Sequence, residues 1–177
     1  MLWGMDLLKK IEKSSVFIDQ PTLTKPSFTV YSHQSDTLTD EKLDDIVYVA
    51  HFFDPTCEEP CLPRLRAIRD AQYAVSKFKH FRILSHCQQP VENQNQIWSF
   101  ARKISNFPSW QFVYTDTSEI ADLITDYGLS ERNFAWGSPE DVALIDMQGN
   151  VRGYYNPVDS SGFRNLVNDI VYLLRHD

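Results

Sequence analysis

Unbroken apolar runs punctuate the chain and alternate with segments whose apolar positions recur at helical spacing. The strongest run is Ile46-Val47-Tyr48-Val49-Ala50-His51-Phe52-Phe53, mostly β-branched or aromatic. Such a run suits a central strand covered on both faces. It ends in the turn-forming Asp54-Pro55-Thr56-Cys57. Leu62, Leu65, Ile68, Tyr73, Val75 and Phe78 then predict a helix from about Glu59 to Lys79. Phe81 to Ser85 predicts a second buried strand, ending at His86-Cys87, and Ile97, Phe100, Ala101 and Ile104 mark a second helix. Gln111 to Tyr114 is a third strand. Asp116, three residues before Glu119, predicts a capping-box start for a helix carrying Ile120, Leu123, Ile124 and Tyr127, with Gly128 as its stop. Val142 to Asp146, the turn Met147 to Asn150, and Val151 to Tyr155 predict a β-hairpin. Phe163, Leu166, Val167, Ile170, Val171 and Leu174 predict a closing helix.

Ahead of these elements, Phe28 to Tyr31 predicts a short strand, followed by a polar stretch from Ser32 to Asp45. Residues 12–27, with Pro21 and Pro26, predict an extended lead-in. A strand-helix-strand start and a hairpin-helix finish are the two halves of a thioredoxin-like sheet, with an extra helix and strand between them. The expected fold class is therefore α/β, a thioredoxin-like three-layer α/β/α arrangement with a central mixed sheet in a single domain. Residues 1–25 are expected to form an N-terminal arm or extended segment, and residues 26–177 the domain.

Composition supports this and narrows the function. The 177 residues are 42 % apolar, enough for a core without disulfide staples. With 17 basic and 24 acidic side chains the formal net charge is −7, which argues against a phosphate-binding face and so against a nucleic-acid partner. No run reaches the roughly 18 apolar residues of a membrane span. Near the N-terminus, Asp6, Lys9 and Lys10 stand where a signal peptide has its apolar run, so no signal peptide is visible in the chain. That segment reads instead as an amphipathic arm with Leu7, Leu8 and Ile11 on one side, and removal of a leader stays open.

Three cysteines are too few for a scaffold of bridges, but two of them carry the chemistry. Cys57-Glu58-Glu59-Pro60-Cys61 sits where the long strand hands over to the first helix. A cysteine at a helix start meets unpaired N–H groups and the positive dipole end, which favour the thiolate. Positions i and i+4 share a helix face, so both sulfurs can converge on a disulfide or on a soft metal such as copper. Glu58 and Glu59 oppose a second negative charge and welcome a cation, and Pro60 takes a first-turn position. Two unrelated buried cysteines are the other reading of the same residues.

Strand, Phe52-Phe53-x-x-x-Cys57-x-x-x-Cys61 and helix together resemble the Sco/SenC family, thioredoxin-fold proteins linked to copper delivery for cytochrome oxidase. Phe28-Thr29-Val30, Ile83-Leu84-Ser85, Asp126-Tyr127-Gly128 and Leu144-Ile145-Asp146-x-x-Gly149 are similar to further blocks of that family. Three departures stand out. Leu62, not proline, follows the second cysteine; the loop that is acidic in the family reads His86-Cys87-Gln88-Gln89-Pro90; and Ser138 holds the place of the family's copper-binding histidine. No histidine lies between His86 and His176. The resemblance implies a thiol-disulfide role for Cys57 and Cys61 towards a partner protein carrying redox-active or copper-binding cysteines, in respiratory-oxidase or envelope redox maturation. Cys57 attacks and Cys61 resolves. A copper chaperone using Cys57, Cys61 and His86 as ligands is the alternative, and a non-catalytic binding module the third. The implied location is the cell envelope, periplasmic or membrane-associated.

Other residues carry two readings each. His86 and Cys87 are either a substitute ligand and a resolving thiol, or an exposed histidine and a buried cysteine. A zinc site from Cys57, Cys61, His86 and Cys87 has the residue types without a known spacing. Pro139 resembles the cis-proline beside many thioredoxin-like sites, or is an ordinary turn proline. His51 reads as a satisfied core histidine, and Trp98, Trp110 and Trp136 as core or interface aromatics. Asp54 caps the first helix or sits beside the thiols, and Arg64 and Arg66 soften the acidity of the pair or are solvated. A peroxidase of the same fold needs threonine three residues before its cysteine, where Asp54 stands.

Overall fold

The computed structural model describes residues 11–34, 37–56, 59–89, 94–135 and 137–176. The long apolar run becomes β3 (Val47–Phe53), with every side chain buried. Parallel to it lies β4 (Phe81–Cys87), and beyond that, again parallel, β5 (Trp110–Tyr114). On β5's outer side run β1 (Thr29–Ser32) and β2 (Thr37–Thr39), both antiparallel to their neighbours. On the other side of β3 the hairpin β8 (Val142–Ile145) and β9 (Val151–Tyr155) completes a seven-stranded mixed sheet in the order β2-β1-β5-β4-β3-β8-β9.

Alternation along β3 explains why none of it is exposed. Val47, Val49 and Phe53 face a core built with α1 (Leu62–Val75), α2 (Gln94–Ile104) and α4 (Ser160–His176). Tyr48, Ala50 and Phe52 face a second core built with α3 (Thr117–Asp126) and the segment around Phe28, Leu38 and Leu43. A strand covered on both sides has no polar face, and the periodicity of two that marks a half-buried strand vanishes. The fold is thioredoxin-like, three-layered and of one domain.

The lead-in turns once at Ser15-Val16, where Phe17 N–H donates to Ser14 O, and then straps the far edge of the sheet. Ile18 N–H donates to Arg152 O (2.7 Å), Val151 N–H to Leu23 O (2.9 Å) and Lys25 N–H to Gly149 O (2.6 Å). Ser14 caps the strap by donating through its backbone N–H (2.6 Å) and hydroxyl (2.5 Å) to the fully buried Asp169, which also accepts from the Tyr155 hydroxyl at 2.7 Å. The hairpin turn is held by Asp146, whose carboxylate accepts from Gln148 and Asn150 N–H and from Arg152 Nε. Of the expected amphipathic arm, Leu7 and Leu8 lie outside the described residues.

Several elements differ from their sequence expectation, each for a local reason. The first helix begins at Leu62 and stops at Val75, not at Glu59 and Lys79. Pro63 rather than Pro60 is its first-turn proline, and Ser76 ends it by donating both N–H and Oγ–H to Tyr73 O. Tyr73 is 60 % exposed, while Arg64, Ala71 and Gln72 are buried. β4 runs on through His86 and Cys87, because both side chains are packed rather than solvated. The polar stretch after β1 holds β2 and a 3-10 turn (Asp40–Leu43), anchored by buried Leu38 and Leu43. The capping box at Asp116 does not close: Asp116 makes no side-chain cap bond, and the Glu119 carboxylate accepts instead from the Thr115 hydroxyl (2.6 Å). A short pair, β6 (Phe134–Ala135) and β7 (Ser138–Pro139), was not signalled by any apolar run.

The contrast on α1 is measurable. Ile68→Ala, at a position 1 % exposed, is expected to lower unfolding free energy by about 2–5 kcal/mol in urea titration. Tyr73→Ala on the same helix should stay within about 1 kcal/mol.

Candidate functional site

β3 and β4 are parallel, so the loops leaving Phe53 and Cys87 emerge at one edge of the sheet, the edge where open α/β sheets place their chemistry. Cross-links join those loops. Gln88 N–H continues the ladder to Phe53 O (2.9 Å), and Gln89 Nε2 donates to Asp54 Oδ2 (3.0 Å). Asp54 Oδ1 accepts from the Thr56 N–H (2.8 Å) and hydroxyl (2.7 Å), closing a turn. Asp54 therefore shapes the approach to α1 and is not its cap; Cys61 occupies the cap position. Gln88 also reaches the β6–β7 loop: its Nε2 donates to Gly137 O (3.1 Å) and its Oε1 accepts from the Ser138 hydroxyl.

Cys61 is 3 % exposed and disulfide-bonded, whereas Cys87 is a free thiol. Cys57 and Glu58 lie outside the described residues. Next to Cys61, Arg64 is buried and donates through Nη1 to Pro139 O at 2.5 Å, tying α1 to β7. Burial pulls the guanidinium below its ordinary range, and the Glu140 carboxylate pulls it back up. Between them opens a cavity of about 260 Å³ walled by Cys61, Pro63, Arg64, Ala135, Glu140 and Val158. Of the two sequence readings of Arg64, beside the pair or solvated, its burial excludes the second. Its spacing from Cys61, Leu65 and Ile68 places it on their helix face, which is the signal that foretells its burial. Arg66 is exposed. Pro139 follows a trans peptide bond, as do all described residues, so it is not a cis-proline.

His86 and Cys87 part company. In β4 they alternate: Cys87 faces the α1 side, while His86 points to the α3 side. There His86 stacks on Phe52 (4.9 Å between ring centroids) and meets Phe28 and Tyr127 edgewise or tilted. It is buried, not exposed, and neither ring nitrogen has a hydrogen-bond partner among the described residues. Burial lowers its pKa from 6.5 to about 3. The sheet thus stands between His86 and α1. Burial pushes the Cys87 thiol up to about 11, and its Sγ–H points to Gln89 O at 3.6 Å. His51 is a core histidine, but only one of its nitrogens is satisfied: Trp110 Nε1 donates to Ser85 Oγ (2.6 Å), which donates to His51 Nε2 (2.5 Å), while the buried Nδ1 has no hydrogen-bond partner among the described residues. Trp98 is half-buried beneath the Arg102 guanidinium, and Trp136 lies outside the described residues.

For copper, the donor set is the test. Among the described residues no three of His, Cys, Asp and Glu gather to hold a metal. Ser138, where the resemblance would put a histidine ligand, spends its hydroxyl on Gln88. The described residues therefore do not fit a copper centre with a third protein ligand beside Cys61.

No protein-family model matches the chain, and no curated protein matches its sequence. Solved structures do match in shape. BsSco, a member of the Sco family of cytochrome c oxidase assembly proteins in which a disulfide switch is identified, superposes with a TM-score of 0.76 at 22 % identity, covering 90 % of this chain and 99 % of that one. A SCO1/SenC family lipoprotein from Bacillus anthracis gives 0.75 at 17 % identity, over 88 % and 98 %. Bradyrhizobium japonicum ScoI, with copper bound, gives 0.69 at 16 % identity, over 85 % and 99 %. The chain shares the fold of the Sco/SenC proteins it resembles in sequence pattern. Among the described residues no helix is long and apolar enough to cross a membrane.

His86 gives a pH signature. Between its ordinary 6.5 and its native value of about 3, the unfolded chain takes up a proton that the folded chain refuses, so stability falls as pH falls through that window. Each such histidine contributes at most about 1.4 kcal/mol per pH unit. His86→Phe should flatten the decline between pH 6 and 4 by up to that slope, read by urea unfolding at stepped pH. An unchanged slope would show that His86 protonates freely in the native state.

Proposed function

We propose that the protein is a thiol-disulfide exchange protein of the Sco/SenC kind, with Cys57 and Cys61 as its redox pair. The observation that carries this reading is a disulfide-bonded cysteine, Cys61, at the start of α1 on the loop-bearing edge of the sheet, walling a cavity open to a partner. The fold shared with BsSco, in which a disulfide switch is identified, supports it.

In the reduced protein the Cys57 thiolate attacks one sulfur of a partner disulfide. A Cys57–partner mixed disulfide forms and a partner thiolate leaves. The Cys61 thiolate then attacks Cys57 Sγ, closing the Cys57–Cys61 disulfide and expelling the second partner thiolate. Two electrons pass to the partner, whose released thiolates take protons from water. The start of α1 favours the thiolate form of Cys61, which occupies its cap position. Cys87 has no part in the cycle, since a buried thiol with a raised pKa supplies little nucleophile near neutral pH.

The partner is a protein carrying redox-active or copper-binding cysteines, and the process is maturation of a respiratory oxidase or of other envelope proteins. An oxidising compartment such as the cell envelope suits a cysteine found in a disulfide.

With a disulfide-bearing peptide as substrate, Cys57→Ser should reduce exchange to background, Cys61→Ser should trap the mixed disulfide, and Cys87→Ser should leave turnover intact. Full activity of Cys57→Ser would refute the reading. Sub-micromolar copper binding by the reduced protein, with exchange at background, would turn it towards copper delivery by the same two sulfurs.

A further inference from the structure

The chain carries a net charge of −7, yet one surface channel is lined by cations. Two hollows of about 400 and 170 Å³ lie between α1 and α2 and adjoin, with Arg69, Lys103 and Ile104 in the walls of both. Arg66 lines one end and Arg102 the other. No described acidic side chain forms a salt bridge with any of these cations; Asp70, one turn along α1 from Arg66, does not close on it. Arg102 is nonetheless held in place, its guanidinium lying 4.0 Å from the centroid of the Trp98 ring. At the far end Tyr73, 60 % exposed, meets Phe107 edge-on at 4.7 Å and gives the channel an aromatic wall.

We propose that this channel binds an extended acidic segment of a protein partner, its carboxylates meeting Arg66, Arg69, Arg102 and Lys103 and an apolar side chain resting on Tyr73 and Phe107. Length, charge and shape support that occupant. From Leu62 to Tyr73 the channel follows α1 for about 16 Å at helical rise, the reach of roughly five residues of extended chain. Cations with no salt bridge among the described residues can accept a partner's carboxylates, with Arg able to take them in bidentate fashion. An anionic bilayer is the poorer fit. It is a flat surface and feels the field of the whole acidic protein, whereas a ligand seated in the channel feels chiefly the charges within a Debye length. The inference does not depend on the Cys57/Cys61 reading, although Leu62 brings one end of the channel to the residue after Cys61.

The test is fluorescence anisotropy with an eight-residue peptide of Glu, Asp and one Tyr, against the same peptide with Gln and Asn for its acids. The full chain should bind the acidic peptide and not the neutral one, more weakly as salt rises. Arg69→Glu with Lys103→Glu should weaken binding by at least about tenfold. A readout on the unaltered protein avoids any dependence on folding of the variant: bound peptide should shield Lys103 from acetylation while exposed Lys79 reacts as before. Equal binding of both peptides, insensitivity to the charge reversal, or an unshielded Lys103 would each overturn the proposal. So would co-sedimentation with phosphatidylglycerol vesicles that excess acidic peptide fails to reverse. Cys57→Ser should bind the peptide as the natural chain does, so a failed exchange assay and a failed channel remain separate results.

Discussion

Covering β3 on both faces is the constraint from which the rest follows. A parallel central strand cannot leave one side to water without exposing half its apolar side chains, so helices must pack on each face. Once α1, α2 and α4 lie on one side and α3 on the other, the connections of β3 and β4 are forced to the same edge. Cys61 reaches that edge because α1 must turn back there to cover the sheet. The buried Arg64–Pro139 bond and the Gln88 contacts then fasten the β6–β7 loop beside it.

That arrangement separates residues that are neighbours in the chain. His86 and Cys87 are adjacent in β4, but a pleated strand sends successive side chains to opposite faces. Cys87 shares a core with α1, and His86 lies with Phe28, Phe52 and Tyr127. A histidine that looks like a spare ligand in the sequence thus becomes a neutral ring in an aromatic pocket. Ser138, where the family resemblance would put a copper ligand, is wholly buried and engaged by Gln88. Sulfur chemistry needs neither residue.

Much of the fold was legible because its signals are collective. The uninterrupted run of β3, the hairpin around Gly149 and the helical stripes of α2, α3 and α4 each rest on many side chains agreeing. What stayed hidden rests on single contacts. Ser76 ending α1, Thr115 taking the carboxylate meant for a capping box, and Tyr73 turning outward to Phe107 depend on one neighbour each. That Cys61 of the candidate site stands at a strand-to-helix turn was readable in the sequence. The walls of the site were not, since Ala135, Glu140 and Val158 come from distant parts of the chain that only the sheet order brings together.

The strap formed by residues 18–25 has a consequence for how the molecule meets others. β9 is the last strand of the sheet, and an open edge strand offers unpaired N–H and C=O groups to any passing chain. Leu23 and Lys25 occupy the turn end of that edge, and Ile18 reaches Arg152 O further along. The opposite edge, β2, is only three residues long. Strand addition, whether by a partner or by another copy of the chain, has little to template on at either end. Association is left to loops and helix faces, which select by side chain rather than by backbone, and crowded copies of the protein are kept from zipping into one another.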